Sequence, residues 1–202
     1  FTERFNAQGD LFGESLRFDW GDVDTVGAGL HLFWRDPNRY AFGVFGSYSS
    51  TSAGDSFNEY MVGPEGQIYI DDVTLYGQAY FGRVETSFND DADVWGVRGV
   101  ARYFLQDNFK LEGEIGYRSF DFDFAEIDVW TFATQADYRF SDSPFSVFGR
   151  YELNMFSDDD GDNLDVHKFI VGLRGTFGAD TLKEEDRFGA TMDLPRTVWF
   201  DD

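Results

Sequence analysis

Val94–Phe120, VWGVRGVARYFLQDNFKLEGEIGYRSF, alternates strictly in polarity. Trp95, Val97, Gly99, Ala101, Tyr103 and Leu105 fall on one face of a strand, with Gly96, Arg98, Val100 and Arg102 on the other. After Gln106-Asp107-Asn108 the pattern restarts. Phe109, Leu111, Gly113, Ile115 and Tyr117 then oppose Lys110, Glu112, Glu114 and Arg118. Successive side chains of a strand point to opposite faces, so this period predicts a hairpin. The charged face mixes both signs, and the apolar face is rimmed by Trp, Tyr and Phe. A soluble hairpin turns its charge to water. A membrane-spanning strand does the reverse, with lipid outside and a polar bore inside.

Working outward, the same alternation recurs. Val26, Ala28, Leu30, Leu32 and Trp34 share a face, as do Tyr40, Phe42, Val44 and Tyr48 beyond the turn Asp36-Pro37-Asn38. Val73, Leu75, Gly77, Ala79 and Phe81 follow the turn Asp71-Asp72. Trp130, Phe132, Ala136, Tyr138 and Phe140 precede Ser141–Pro144, and Phe145, Val147, Gly149, Tyr151 and Leu153 follow it. The last strand sets Phe169, Val171, Leu173 and Phe177 against Lys168, Gly172 and Arg174. In the first stretch the apolar residues change phase between Leu11 and Leu16, which predicts a bulge near Gly13. Pro64 lacks an N–H and predicts a bulge or an edge in its strand.

The expected fold is therefore all-β: an antiparallel transmembrane β-barrel of about ten strands over residues 1–178, with a tail at 179–202. Short turns lie at Arg35–Arg39, Asp71–Asp72, Gln106–Asn108 and Ser141–Pro144. Longer, mostly acidic connections are expected at Ser49–Asn58, Glu85–Asp93, Asp121–Asp128 and Ser157–Asp165. Both termini then fall on the short-turn side, and Thr181–Arg187 reads as a helical turn in the tail.

Composition narrows the function. No run approaches the roughly 18 apolar residues of a membrane helix. An aromatic fraction of 19%, with 24 Phe, exceeds what a soluble core needs. Cysteine is absent, which removes disulfides and thiolate chemistry. A net charge of −22 argues against nucleic acid as a partner. The start at Phe1 reads as a mature product whose export signal has been removed.

From Val23 to Gly178 the chain resembles the bacterial outer-membrane β-barrel superfamily, in its small porin-like members. It departs from the usual terminal aromatic, since Phe177 closes the last strand and 25 residues follow. The resemblance implies the outer membrane as location, with lipid and lipopolysaccharide as surroundings and another envelope or surface protein as a candidate partner. The function it implies is structural or narrowly porin-like. The alternatives are a barrel-anchored adhesion module working through its acidic loops, and a soluble acidic barrel of a salt-adapted organism.

The candidate site is the inward charge set. Arg98, Arg102, Lys110, Arg118, Arg139, Arg150, Lys168 and Arg174 oppose Glu112, Glu114, Asp137 and Glu152. Desolvated charges must be paired, so these are expected either to close a narrow bore or to form a constriction selective for small anions. No cofactor is expected, with one qualification in the run Asp158–Asp165. Asp158, Asp160, Asp162 and Asp165 have the alternate spacing of oxygen-ligand calcium loops, and the plainer reading is a solvated acidic loop. Enzyme chemistry is not expected. The alternative is a rim protease or hydrolase, since His167 beside Asp165 resembles the Asp and His of ten-strand outer-membrane proteases. His31 should point inward and His167 outward near the loop side, and no nucleophile elbow or phosphate loop is visible.

Overall fold

A computed structural model describes residues 4–18, 21–52, 56–86, 91–122, 125–158 and 163–195. Ten strands run in chain order. They are β1 Phe5–Phe18, β2 Gly21–Asp36, β3 Tyr40–Ser52, β4 Ser56–Ile70, β5 Val73–Thr86, β6 Ala92–Gln106, β7 Phe109–Phe122, β8 Ala125–Arg139, β9 Phe145–Asp158 and β10 Asn163–Gly175. Each pairs antiparallel with its sequence neighbours, giving one sheet in the order β1 to β10. The sheet curls as a half-barrel. Among the described residues β1 pairs only with β2 and β10 only with β9, so a seam separates the two ends. Along this seam the outward Leu11, Phe169, Val171 and Leu173 are 76–89% exposed.

The central hairpin follows its sequence pattern closely. Trp95, Val97, Tyr103, Leu105, Leu111 and Ile115 are exposed, whereas Arg98, Arg102, Glu112, Glu114 and Arg118 are buried. Asp71 and Asp142 hold the turns at positive φ, 48° and 56°. That left-handed region is one Asp tolerates better than most residues.

Two local expectations are corrected. The β1–β2 register runs unbroken from Phe5↔Trp34 to Phe18↔Gly21, so there is no bulge near Gly13. The irregularity falls instead at Leu105, where the β6–β7 register shifts between Phe104 and Gln106. Pro64 sits in an interior strand without a bulge. The β4–β5 ladder passes over Gly63 and Pro64 and resumes in the same register. Backbones approach closely there, and a Cβ on Gly63 would run into the Ala79 carbonyl.

The strands also extend into the expected long loops. Connections at one end are 37–39, 71–72, 107–108 and 140–144, and those at the other are 19–20, 53–55, 87–91, 123–124 and 159–162. The expected contrast between short turns and long loops is therefore not present. Acidic residues such as Glu85, Asp121, Glu126 and Asp128 lie on strand ends instead.

The tail does not extend away from the sheet. Residues 179–195 turn back into its concave side, and α1, Leu182–Phe188, forms where the helical turn was expected. The Thr181 hydroxyl accepts the Glu184 N–H at 3.0 Å and caps it. Residues 196–202, including Trp199 and Phe200, lie outside the described residues.

Candidate functional site: a bore filled in three tiers

Much of the concave side is filled by buried side chains. Toward the connections 53–55, 87–91 and 123–124 it is apolar, with Phe45, Met61, Tyr80, Val94, Phe120, Val129 and Phe156 in one buried cluster. These positions come from seven consecutive strands, β3 to β9, so the cluster crosses the bore.

Below it lies the ionic tier. Arg98 grips Glu114 through Nε at 2.7 Å and Nη2 at 3.0 Å, the bidentate geometry that a guanidinium fork favours. Arg150 donates to Glu114 at 2.9 Å and to Glu152 at 2.8 Å. Glu112 is shared by Arg102 and Lys110 at 3.3 Å each and by Arg150 at 3.8 Å. Asp137 serves Lys110 at 3.5 Å and Arg174 at 3.4 Å, and Lys168 lies 4.0 Å from Glu152. Arg118 donates to Tyr80 Oη at 3.0 Å and lies 3.4 Å from Glu59. The cross-strand placement is direct, since Arg102 faces Glu112 and Lys110 faces Asp137 in register. Eleven of the twelve expected inward charges thus join within the wall.

Arg139, the twelfth, turns toward the third tier. Its guanidinium donates to the Ser143 and Ala179 carbonyls and lies 3.8 Å from Glu185. This tier is the C-terminal segment, the part least legible in the alternation. Asp186 accepts from Thr74 at 2.6 Å and from Arg102 at 2.9 Å. Asp193 accepts from Arg102 at 2.6 Å. At the turn end Lys183 pairs with Asp72 at 2.6 Å and Arg187 donates to the Asp71 carbonyl at 2.9 Å. Met192 is buried among Phe33, Ala41, Tyr69, Tyr76 and Val100. Leu194 reaches the apolar cluster and lies over Gly29, where a Cβ would collide with it. A cavity of about 250 Å³ remains beside the segment, lined in part by Asp10, Lys110, Gln135 and Arg174.

Sequence reading also missed a second buried group. His31 is inward, as expected, but it sits between two carboxylates, Glu65 at 2.7 Å and Asp10 at 3.0 Å. Tyr76 donates to the same Glu65 at 2.9 Å. The parity of positions 8, 10, 31, 65 and 67 was the available signal, since polar residues recur there on inward faces. His167 points outward, where Tyr151 stacks on it and bonds its Nδ1 at 2.8 Å. Asp158 ends β9 and Asp165 is the third residue of β10, while Asp160 and Asp162 lie outside the described residues. Among the described residues no group of His, Asp or Glu is arranged to hold a metal ion.

The convex side carries two rows of aromatic rings. On the loop side Tyr48–Tyr60, Trp95–Tyr117, Tyr117–Trp130 and Tyr151–Phe169 pack at 4.9–5.1 Å between centroids. On the turn side Phe5, Trp34, Phe42 and Tyr40 form a chain, with Tyr138 and Phe140 further round. Four strands repeat the spacing, with Tyr40 and Tyr48, Trp95 and Tyr103, Phe109 and Tyr117, and Trp130 and Tyr138 each eight residues apart. Aliphatic side chains such as Val44, Val97, Leu111 and Ile115 lie exposed between them. No protein-family model matches this sequence, and no curated protein matches it. Nothing in the comparisons indicates an enzyme.

Proposed function

We propose that this chain spans the bacterial outer membrane as a small β-barrel with a closed bore, and that it acts structurally, as an anchor or scaffold, rather than as a conduit. The observation that carries the reading is the inversion of polarity: charged side chains are buried inside while large apolar ones are exposed outside. An eight-residue separation corresponds to about 27 Å along a strand at about 3.4 Å per residue. At a tilt of about 40° it becomes roughly 20 Å of depth, near the ~25 Å apolar band of such barrels. A soluble, salt-adapted barrel would need its carboxylates across the middle of the convex face, where here the exposed side chains are aliphatic and aromatic.

The filled bore favours the structural role over the porin-like one. An apolar cluster, a paired ionic group and a folded C-terminal segment that touches both fill the bore together, so solute passage would require displacing them. Residence in lipid carries one demand on the seam. Unpaired N–H and C=O groups are not tolerated in hydrocarbon, so β1 and β10 must find partners there, in the simplest case each other.

Refolding into detergent micelles, followed by gel electrophoresis with and without boiling, tests this reading. The expected result is a folded form of distinct mobility that needs detergent and is silent in planar bilayers. A protein that folds and stays soluble without detergent would overturn it.

A further inference from the structure

The contacts that hold the C-terminal segment have an unusual distribution, because most go to its main chain. Arg35 Nη1 donates to the Gly189 carbonyl at 2.6 Å. Gln67 and Arg102 donate to the Thr191 carbonyl at 2.9 and 3.2 Å. Gln8 binds both main-chain groups of Met192, and Tyr76 and Gln78 donate to the Asp193 carbonyl at 3.0 and 2.9 Å. Five strands thus read the backbone from Gly189 to Asp193. Such contacts accept any sequence in that conformation, and side-chain pockets add the selectivity.

Two neighbouring positions supply selectivity. The Met192 side chain fills an apolar pocket floored by Ala41. The Asp193 carboxylate meets Arg102 at 2.6 Å and lies 3.6 Å from Arg98. The wall is moreover cationic without its occupant. Among the described residues Arg35 has no carboxylate at ion-pair distance, and its polar side-chain contacts to Gly189 and Thr191 belong to the segment. Arg102 would keep only Glu112, which Lys110 and Arg150 already share. The link to β10 is exposed, with Phe177 at 82% and Gly178 at φ 93°.

We propose that the turn-side half of the bore is a peptide-recognition groove, and that residues 189–193 are its tethered ligand. Its second class of ligand is a segment of another protein in which an apolar residue is followed by Asp. The proposal concerns the concave wall alone and stands independently of whether the convex face lies in lipid. A short tether gives an effective concentration on the order of millimolar, so the intact chain holds its own segment against dilute competitors.

The test keeps the full chain. A protease recognition sequence is inserted between Gly178 and Ala179, and the protein is folded first and then cut. A labelled peptide of residues 180–195 should exchange into the cut protein saturably, one per chain. A peptide carrying M192A and D193N should compete at least ~100-fold more weakly, since it loses a buried apolar anchor and a charged hydrogen bond. A polyalanine peptide keeping only Thr, an apolar residue and Asp at the three matching positions should compete, and a scrambled peptide should not. Failure of exchange in a cut protein that keeps its folded gel mobility overturns the proposal, as does equal competition by the scrambled peptide. If the insertion prevents folding, A41C in the uncut chain gives a second readout, because the protein has no other cysteine. Excess cognate peptide should slow thiol labelling of that buried position, because it occupies the groove whenever the tethered segment leaves, and scrambled peptide should not. Equal rates with both would also overturn the proposal.

Discussion

Gln8 on β1 and Met192 in the C-terminal segment bind each other twice: Gln8 Nε2 donates to the Met192 carbonyl at 2.7 Å, and Met192 N–H donates to Gln8 Oε1 at 3.1 Å. A side-chain amide here takes the part of a neighbouring strand. The contact ties the edge strand to a segment that also binds β2, β4, β5 and β6.

Q8A should therefore cost more than a surface polar deletion. It leaves a buried N–H and carbonyl without their partner, at about 1–3 kcal/mol for each unsatisfied group. Urea titration of the refolded protein measures the loss. N6A, whose amide reaches only the exposed Arg4 carbonyl, should change little.

The convex face gives a second contrast. L111R should cost about 2–4 kcal/mol if Leu111 meets the bilayer midplane. Q135R should cost clearly less, because Gln135 faces the bore beside Asp137 and the 250 Å³ cavity offers room. Refolding titrations into lipid vesicles compare them. Equal costs would mean that the two faces have been assigned wrongly.

Glu112 is the shared carboxylate of the ionic tier, facing Arg102, Lys110 and Arg150. E112Q should destabilise by about 3–5 kcal/mol, the range for breaking a buried pair from one side. R102Q and E112Q together should cost less than the sum of the two singly, since the double variant removes both partners. A double-variant cycle in urea reads this coupling directly. Both variants should remain silent in planar bilayers, because the apolar tier above them is unchanged.

These residues also mark how far the sequence could be read. The alternation around Arg98 and Glu114 predicted faces, partners and turns, because period two is a local property of each strand. The bulge expected near Gly13 rests on a change of apolar phase that the unbroken β1–β2 register does not follow, and the long acidic loops rest on composition. Acidic stretches such as Asp121–Asp128 look like loops by composition, yet strand pairing continues to Asp121↔Glu126 and Phe122↔Ala125. Gln8 and Gln67 share the inward parity of their strands and Arg35 is expected in a turn, but the role of all three depends on a segment more than a hundred residues away. Nothing in the local pattern of Gly189–Asp193 announces that it enters the bore.

The seam gives a fourth expectation. In lipid the edge groups of β1 and β10 must be paired. Amide exchange measured in vesicles should therefore show β1 and β10 protected to a degree similar to β5 and β6. Rapid exchange confined to β1 and β10 would mean that the sheet stays open and does not face hydrocarbon along its seam.

The most direct measurement of the central claim is depth-dependent quenching of a variant that retains only Trp130, an outward ring in the loop-side row. In vesicles its fluorescence should be quenched strongly by lipids brominated near the headgroup end of the acyl chain, less by lipids brominated near the chain terminus, and little by aqueous iodide. Strong iodide quenching with no response to brominated lipid at either depth would place the convex face in water and contradict the account.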